Sequence, residues 1–258
     1  MTNETLQLLE RRKSLRAYSP DPLSAEEKQA ILRAAFRAPT AGNMMLYSII
    51  EVEDQALKDR LAHTCDEQPF IAKAPYVLIF LADYQRWFDY YQHCEVERFC
   101  QELGQTYRTP DTGDMMLACC DALIAAQNAV VAAESLGIGS CYIGDVMENY
   151  EIHRELLNLP RYVLPIAMLC FGRPAHAASD RQIPRFAPQY IVHQNAYRRF
   201  TPAELEAMFE PERQINFASK PSPRGAKNLG QETYLRKFIA DFSIEMNRSV
   251  NEMLKNWQ

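Results

Sequence analysis

Four cations surround one hydroxyl group near the start of the chain, in the stretch RRKSLRAYSP. These residues are Arg11, Arg12, Lys13, Ser14 and Arg16. The cluster is a local exception, because the whole chain has a formal net charge of -5. Guanidinium groups bind phosphate oxygens through paired hydrogen bonds, and a serine hydroxyl adds another donor. A phosphate site is one interpretation of the cluster, and a solvated helix end is the alternative.

Three later segments combine glycine, proline and polar residues in a way that suits a ligand site. They are Pro39-Thr40-Ala41-Gly42-Asn43, Ser140-Cys141-Tyr142-Ile143-Gly144, and Phe171-Gly172-Arg173-Pro174 followed by Pro184-Arg185-Phe186. Glycine lets a ligand approach the backbone closely. Each segment alone is weak evidence for a ligand site. The order of the segments along the chain is stronger evidence.

Several common chemistries lack their motifs here. The nine glycines form neither G-x-G-x-x-G nor G-x-x-x-x-G-K-[ST], so no glycine-rich phosphate cradle is expected. The five histidines show no metal-ligand spacing, and G-x-S-x-G does not occur. The seven cysteines include no C-x-x-C pair, which predicts reduced thiols and neither a disulfide framework nor a metal site.

Composition excludes two further classes of protein. The pI near 5.6 argues against a general nucleic-acid binder, which would have a basic domain. No stretch approaches the roughly 18–20 apolar residues of a membrane helix, and the first residues lack a signal-peptide pattern. We therefore expect a cytoplasmic protein that binds neither nucleic acid nor membrane.

The elements that must position these segments can be predicted from periodicity and caps. Ser24 and Glu27 form a capping box for a helix through Ala38. The stretches 76–82 and 163–171 are apolar on both faces, which is typical of buried strands. The longest periodic segment, 115–136, is apolar nearly all round and predicts a helix in a core or at a subunit interface.

The remaining segments are less regular. Residues 3–13 predict a helix with Leu6, Leu8 and Leu9 inward, and residues 84–112 predict a helical insertion. Residues 190–193 predict a short strand, and 231–256 a terminal helix too apolar for a free tail. Strands and helices mix without strict alternation, which favours an α+β fold.

In their order and spacing, the four segments resemble the nitroreductase superfamily of FMN-dependent oxidoreductases, and most closely its NADPH-linked nitroreductase and flavin-reductase branch. The resemblance covers about residues 5–200. It implies an FMN-binding domain over 1–200, with a mixed β-sheet flanked by helices and a helical insertion at about 84–112. It also implies a homodimer with the flavin at the subunit interface, and we expect residues 201–258 to form a C-terminal arm on the partner subunit.

The resemblance assigns roles to the cationic cluster. Arg12 and Ser14 would contact the phosphate and ribityl chain, and Arg185 would close from the far side. Arg16 would lie under the pyrimidine edge of the ring, where a cation stabilises the negative charge of the reduced flavin. Lys13 would face either the ring or solvent.

Two further groups of residues have roles by the same resemblance. Pro39, Thr40 and Asn43 would pack on the ring and bind its polar edge. The Gln68 side chain would meet the ribityl or pyrimidine end. Ile143 would lie at the flavin, and the backbone N–H of Gly144 would donate to the hydride-accepting nitrogen. Whether Lys73 or Arg181 also contacts FMN is left open.

The mechanism implied by the resemblance is ping-pong: NAD(P)H reduces FMN and leaves, then a nitroaromatic, a quinone or a free flavin accepts two electrons. No side chain acts as nucleophile or base, so Arg16 and Gly144 tune the flavin. Two departures, Ile183 where the branch often has lysine and a loop without Gln-Pro-Trp, leave substrate preference open. The alternatives are a reductive dehalogenase of the same superfamily and an FMN-binding protein without turnover.

Overall fold

The computed structural model describes residues 3–176, 184–217 and 222–257, which fall into two compact units. The first unit contains residues 3–176 and 245–257, and the second contains residues 184–217 and 222–244. The two units are described in turn. The first unit contains the sheet and three of the four segments in full.

The first unit combines helices with one sheet. Its helices are α1 (Glu4–Arg11), α2 (Ala25–Phe36), α3 (Gln55–Thr64), α4 (Pro69–Ala72), α5 (Gln85–His93), α6 (Val96–Glu102), α7 (Thr112–Ser135) and α8 (Tyr150–Leu156). Its strands are β1 (Tyr47–Glu51), β2 (Tyr76–Asp83), β3 (Gly139–Ile143) and β4 (Val163–Gly172). Short 3₁₀ turns lie at Ala41–Asn43 and Asp145–Met147.

The sheet has the strand order β1-β2-β4-β3, and all neighbours are antiparallel. Every residue of β2 and β4 is buried, so the two strands predicted to be central are central. The α+β class is confirmed. The predicted mixed sheet is not what these four strands form, because all their pairings are antiparallel; the parallel bridge between Ser14 and Ser140 lies outside them.

Helix α7 packs on one face of the sheet and on α2. Its buried side is rich in alanine, including Ala118, Ala122 and Ala129, all fully buried. Small side chains let the helix lie close to the strands. In the described part of the chain α7 is the one helix with the length and composition of a membrane span, and the buried half of it forms the core of this unit.

The opposite side of α7 leaves apolar residues exposed. They recur at helical spacing and are Met116, Leu117, Leu123 and Ile124. Leu6 and Leu9 of α1 are also exposed, and only Leu8 is buried, so the predicted inward orientation of all three leucines is wrong within one chain. These side chains form an apolar surface that the chain itself does not cover.

The end of the chain differs from the predicted arm. Helix α11 spans Asp241–Trp257, and Met253 and Trp257 are buried in the core beside α7. Trp257 stacks edge-on against Tyr162, with ring centroids 5.4 Å apart. Residues from 245 onward therefore belong to the first unit of their own chain. Packing of the preceding residues on a partner stays a prediction.

The second unit is mostly helical. It contains a 3₁₀ turn at Pro188–Tyr190, α9 (Pro202–Asn216), α10 (Leu229–Thr233) and a π-helix at Tyr234–Phe238. The strand predicted over 190–193 is absent from these described residues, which form a turn instead. Thr201 and Glu204 form a capping box at the start of α9, so this helix begins where polar side chains satisfy its free N–H groups.

Candidate active site

The cationic segment lies along the outer edge of the sheet, beside β3. Leu15 donates its backbone N–H to the carbonyl of Ser140 at 2.8 Å. Farther along, Ser19 donates to the carbonyl of Arg173 at 2.8 Å, and Ala175 donates to that of Ala17 at 3.0 Å. Three segments that are far apart in sequence are therefore adjacent in the fold.

Two glycines permit this close approach. A Cβ on Gly139 would lie 2.7 Å from Leu15 Cδ2, and one on Gly172 would lie 2.7 Å from the Tyr18 ring and 2.8 Å from Pro75. Both distances are shorter than any side chain tolerates. Gly139, which precedes the third segment, and Gly172 of the fourth thus have a packing role: they let residues 14–19 lie against the strands.

Arg12, Ser14 and Arg16 converge on one residue of β3. Burial raises the pKa of the Cys141 thiol, and Arg16, a hydrogen bond with Ser14 and Arg12 oppose that rise. Among the described residues, no carboxylate lies within 4 Å of the guanidinium groups of Arg12 and Arg16. Two arginines that form no salt bridge with a described residue, together with a hydroxyl, make a site suited to an anion.

Arg16 also lies beside the Gln68 segment. Its guanidinium carbon is 5.9 Å from the centroid of the Phe70 ring, within the range of a cation–π contact. Gln68 donates from Nε2 to Asp145 Oδ2 and to the carbonyl of Cys65, each at 2.8 Å. Gln68, Arg16 and the turn after β3 are therefore parts of one site.

The turn after β3 is held from several sides. His153 donates from Nδ1 to the carbonyl of Val146 at 2.8 Å, and burial lowers the pKa of His153, which favours the neutral ring. Asn149 donates to the carbonyl of Thr64 at 2.8 Å, and the Ser249 hydroxyl to that of Met147 at 2.6 Å. These bonds fix the position of the turn relative to β3.

Gly144 begins this turn in an open position. Its φ of -77° is one that any residue adopts, and in the described part of the chain no atom lies within 4 Å of a Cβ built there. Neither backbone strain nor internal packing therefore requires glycine at this position. A close ligand would supply a reason for it.

The loop of the second segment is positioned by other elements. Asp121 of α7 accepts the N–H groups of Ala41 and Leu46, each at 3.0 Å. Trp87 of α5 donates to the carbonyl of Met44 at 2.8 Å. Asn43 has a φ of 57°, which asparagine tolerates better than most residues. Pro39 and Asn43 are exposed, and Thr40 is half-buried.

Within one chain this loop is distant from the cationic segment. Arg12 lies near Glu134, in the last turn of α7. Burial raises the pKa of Glu134, and the charges of Arg12 and Arg11 counter part of that rise. The loop is bound to Asp121, thirteen residues earlier on the same helix. At 1.5 Å per residue, the two positions are about 20 Å apart along the helix axis. One chain thus brings together Arg12, Ser14, Arg16, Gln68 and Gly144, but not the loop.

The other predicted residues have mixed positions. Ile143 is buried in the core, so only its backbone can face a ligand. Lys13 is half-buried and Lys73 is exposed. Arg185 is exposed and belongs to the second unit. Arg181 and Ile183 lie outside the described residues. The roles of all these residues stay predictions.

Sequence reasoning missed three acidic residues of the first unit. Asp121 binds the loop, Asp145 binds Gln68, and Glu148 is buried behind Asp145. The signal for Asp121 was a carboxylate within the apolar run of residues 115–126. A buried charge there needs hydrogen-bond donors, and loop N–H groups supply them.

Comparisons with known proteins show the family of the chain. The sequence model of the Nitroreductase family matches residues 9–173. FMN reductase (NADPH) of Bacillus subtilis (strain 168) is 32% identical over 197 residues, covering 76% of this chain and 75% of that protein. Oxygen-insensitive NADPH nitroreductase of Salmonella typhimurium is 33% identical over 194 residues, 75% of each chain. The solved structure of NfrA1 nitroreductase from B. subtilis has a TM-score of 0.77 at 26% identity, covering 97% of this chain and 98% of that chain. The chain belongs to the Nitroreductase family.

Proposed function

We propose that this protein is an FMN-dependent oxidoreductase that uses NAD(P)H to reduce nitroaromatics, quinones or flavins by a ping-pong mechanism. The observation that supports it best is the position of Arg12, Ser14 and Arg16. They form no salt bridge with a described residue and lie next to the strand that leads to the turn at Gly144. The named relatives, an FMN reductase and an NADPH nitroreductase, support the same activity.

The donor set fits FMN. Arg12 and Ser14 would hold the terminal phosphate, which is close to dianionic at neutral pH, through charge-assisted hydrogen bonds. The open space beside Gly144 would admit the ring edge without a clash. When bound, FMN supplies the redox chemistry, since it accepts two electrons as a hydride from NAD(P)H and passes two electrons to an acceptor.

The chain's own residues would hold and tune the cofactor. Arg16 lies beside Phe70, and its charge would offset the negative charge that accumulates on the ring after hydride transfer. The Gly144 N–H would donate to the nitrogen that accepts hydride. No nucleophile or general base is needed. The phosphate contact of Arg185 that the family resemblance implies stays a prediction.

We also propose that the active unit is a homodimer. The loop Pro39–Asn43 is about 20 Å from the cationic segment along α7, so it cannot cover a ring held by the same chain's Arg16. A second copy of the chain would supply its own loop. The exposed apolar stripe of α7 gives the surface on which that copy would pack. A cytoplasmic location is part of the same proposal.

The test is an anaerobic titration of the FMN-loaded protein with NADPH and NADH, followed by addition of a nitroaromatic, a quinone or free flavin. We expect the flavin absorbance to fall with about one equivalent of reductant per bound FMN and to return when an acceptor is added. A bound flavin whose absorbance does not fall would make this an FMN-binding protein without reductase activity. A protein that cannot be loaded with FMN would contradict the proposal altogether.

A further inference from the structure

A buried acid lies directly behind the proposed flavin site. Glu148 follows the Asp145–Met147 turn and is only 3% exposed. Its Oε1 is buried, and no described residue donates a hydrogen bond to it. Its side chain contacts the carboxyl group of Asp145 instead. Two ionised carboxylates in contact would repel strongly in such a place, so the pair is stable when one of them is protonated.

The groups that face Glu148 add no positive charge. Asp66, before α4, and Glu245, on α11, are both acidic. His153 of α8 is neutral because burial lowers its pKa, and burial raises the pKa of the Cys65 thiol above its usual range. Burial and the Asp145 carboxylate together raise the pKa of Glu148 to about 8. The protonated form of Glu148 is therefore favoured at neutral pH, and its O–H is the donor available to Asp145.

The position of the Asp145 carboxylate determines how Gln68 is oriented. Asp145 Oδ2 and the carbonyl of Cys65 can only accept hydrogen bonds, so the Gln68 amide must turn its NH₂ group to both of them. Both N–H groups are then used. The amide oxygen is left to accept a hydrogen bond from a ligand.

We propose that Glu148 is a positioning residue. Its proton is donated to Asp145 and holds that carboxylate in place as the acceptor that fixes the Gln68 amide with its oxygen toward the flavin. The ligand group that this arrangement selects is a hydrogen-bond donor, either the ring N–H of the pyrimidine edge or a ribityl hydroxyl. This inference rests on the proposed function, because it assumes that FMN binds beside Gln68. The proton that matters here is held by Glu148, which does not itself contact the flavin.

Loss of this proton should weaken FMN binding. Ionised Glu148 would repel Asp145, which would then no longer hold the Gln68 N–H group in one orientation. Apparent affinity falls with the fraction of protein in the competent state. With the pKa of Glu148 near 8, that fraction falls about tenfold between pH 7 and pH 9. Neither the arginines nor the phosphate change protonation in this interval.

The experiment is an FMN titration by fluorescence quenching at pH 7, 8 and 9. For the wild-type protein we expect the dissociation constant to rise about tenfold over this interval. Glu148→Gln keeps an N–H donor toward Asp145 at every pH, so its dissociation constant should stay near the wild-type value at pH 7 throughout. Glu155→Gln is the matched control: it removes the same charge from an exposed position on α8 and should keep the wild-type pH dependence.

Infrared spectra of the same proteins without FMN provide the second readout. The protonated carboxyl stretch of Glu148 should appear in wild type at pH 7, decrease by pH 9 and be absent from Glu148→Gln. If the dissociation constant is independent of pH in wild type, or Glu148→Gln retains the wild-type pH dependence, the inference is overturned while the proposed function stands. If wild type binds no FMN at pH 7, the proposed function itself fails and the inference fails with it.

Discussion

Leu15 and Ser140 are joined by a backbone hydrogen bond of 2.8 Å, and this bond attaches the cationic segment to the exposed edge of β3. Ser14, the residue before Leu15, forms an isolated parallel β-bridge with the same Ser140. The segment thus extends the sheet by a few residues and satisfies part of an edge that would otherwise be open. The position of Arg12 and Arg16 depends on how closely residues 14–16 approach this edge.

Gly139→Ala should therefore weaken FMN binding without touching a flavin contact. The new Cβ would lie 2.7 Å from Leu15 Cδ2 and 3.0 Å from Leu15 Cβ, so the segment must move outward. Overpacking of this kind costs roughly 1–3 kcal/mol, and we expect a loss of FMN affinity of about tenfold by fluorescence titration.

Two further variants check this cause. Gly113→Ala lies where no described atom is within 4 Å of the added Cβ, and it should leave affinity unchanged. The double variant Gly139→Ala, Leu15→Ala removes the 2.7 Å clash with Leu15 Cδ2 but keeps the Cβ atom 3.0 Å away, so it should restore part of the affinity. No recovery in the double variant would contradict the packing explanation.

Arg12→Ala and Arg16→Ala should separate cofactor binding from cofactor tuning. Loss of Arg12 removes a charge-assisted contact to the phosphate, and we expect FMN affinity to fall by about 10- to 100-fold. Loss of Arg16 should lower the two-electron potential, measured with reference dyes, more than it lowers affinity. Arg11→Ala, at an exposed position, is the control for net charge. Unchanged FMN affinity in Arg12→Ala would refute the phosphate assignment.

The features predicted correctly from sequence depend on local chemistry. Ser24 and Glu27 form the predicted capping box because both partners lie within one helical turn. The strands β2 and β4 could be predicted because residues buried on both faces leave a continuous apolar run. The family could be identified because its four segments keep their order even though each is weak alone.

The features that sequence reasoning missed depend on contacts between distant residues. Strand β3 is short and contains Gly139, Ser140 and Cys141, a composition that does not indicate a strand without its partner β4. The burial of Trp257 beside Tyr162 depends on where the chain returns after the second unit, which no local pattern specifies. Asp121 has its partners 80 and 75 residues away in the chain.

Asp121→Asn should destabilise the loop Pro39–Asn43 more than the rest of the unit. The carboxylate accepts two N–H groups through separate oxygens, whereas an amide offers one oxygen and turns an NH₂ group toward the second donor. A buried N–H left without an acceptor costs about 1–3 kcal/mol, which should appear in urea unfolding and as faster hydrogen exchange at Leu46. Asp89→Asn, at an exposed site on α5, should change neither measurement.

Ile124→Glu should separate the proposed dimer into monomers. Ile124 lies in the exposed apolar stripe of α7, and a carboxylate there would have to be desolvated at the interface. Sedimentation should show the monomer mass, and FMN should be lost because the partner's loop is no longer present. Leu156→Glu on α8, also an exposed leucine, is the control and should stay dimeric. A wild-type protein that sediments as a monomer would contradict the dimer.

Glu148→Gln should change how stability depends on pH, measured by urea unfolding at pH 5, 6, 7 and 8 without added FMN. Burial and Asp145 raise the pKa of native Glu148 to about 8, whereas in the unfolded chain it is about 4.3. Between these values the native state binds one proton more than the unfolded state, so wild-type stability falls as pH rises, by up to about 1.4 kcal/mol per pH unit. Glutamine does not titrate, so the variant lacks this contribution.

The free energy of unfolding of Glu148→Gln relative to wild type should therefore increase steadily from pH 5 to pH 8. Glu155→Gln, exposed on α8, should show a constant difference from wild type. Parallel pH profiles for wild type and Glu148→Gln would mean that Glu148 is ionised in the native protein at neutral pH.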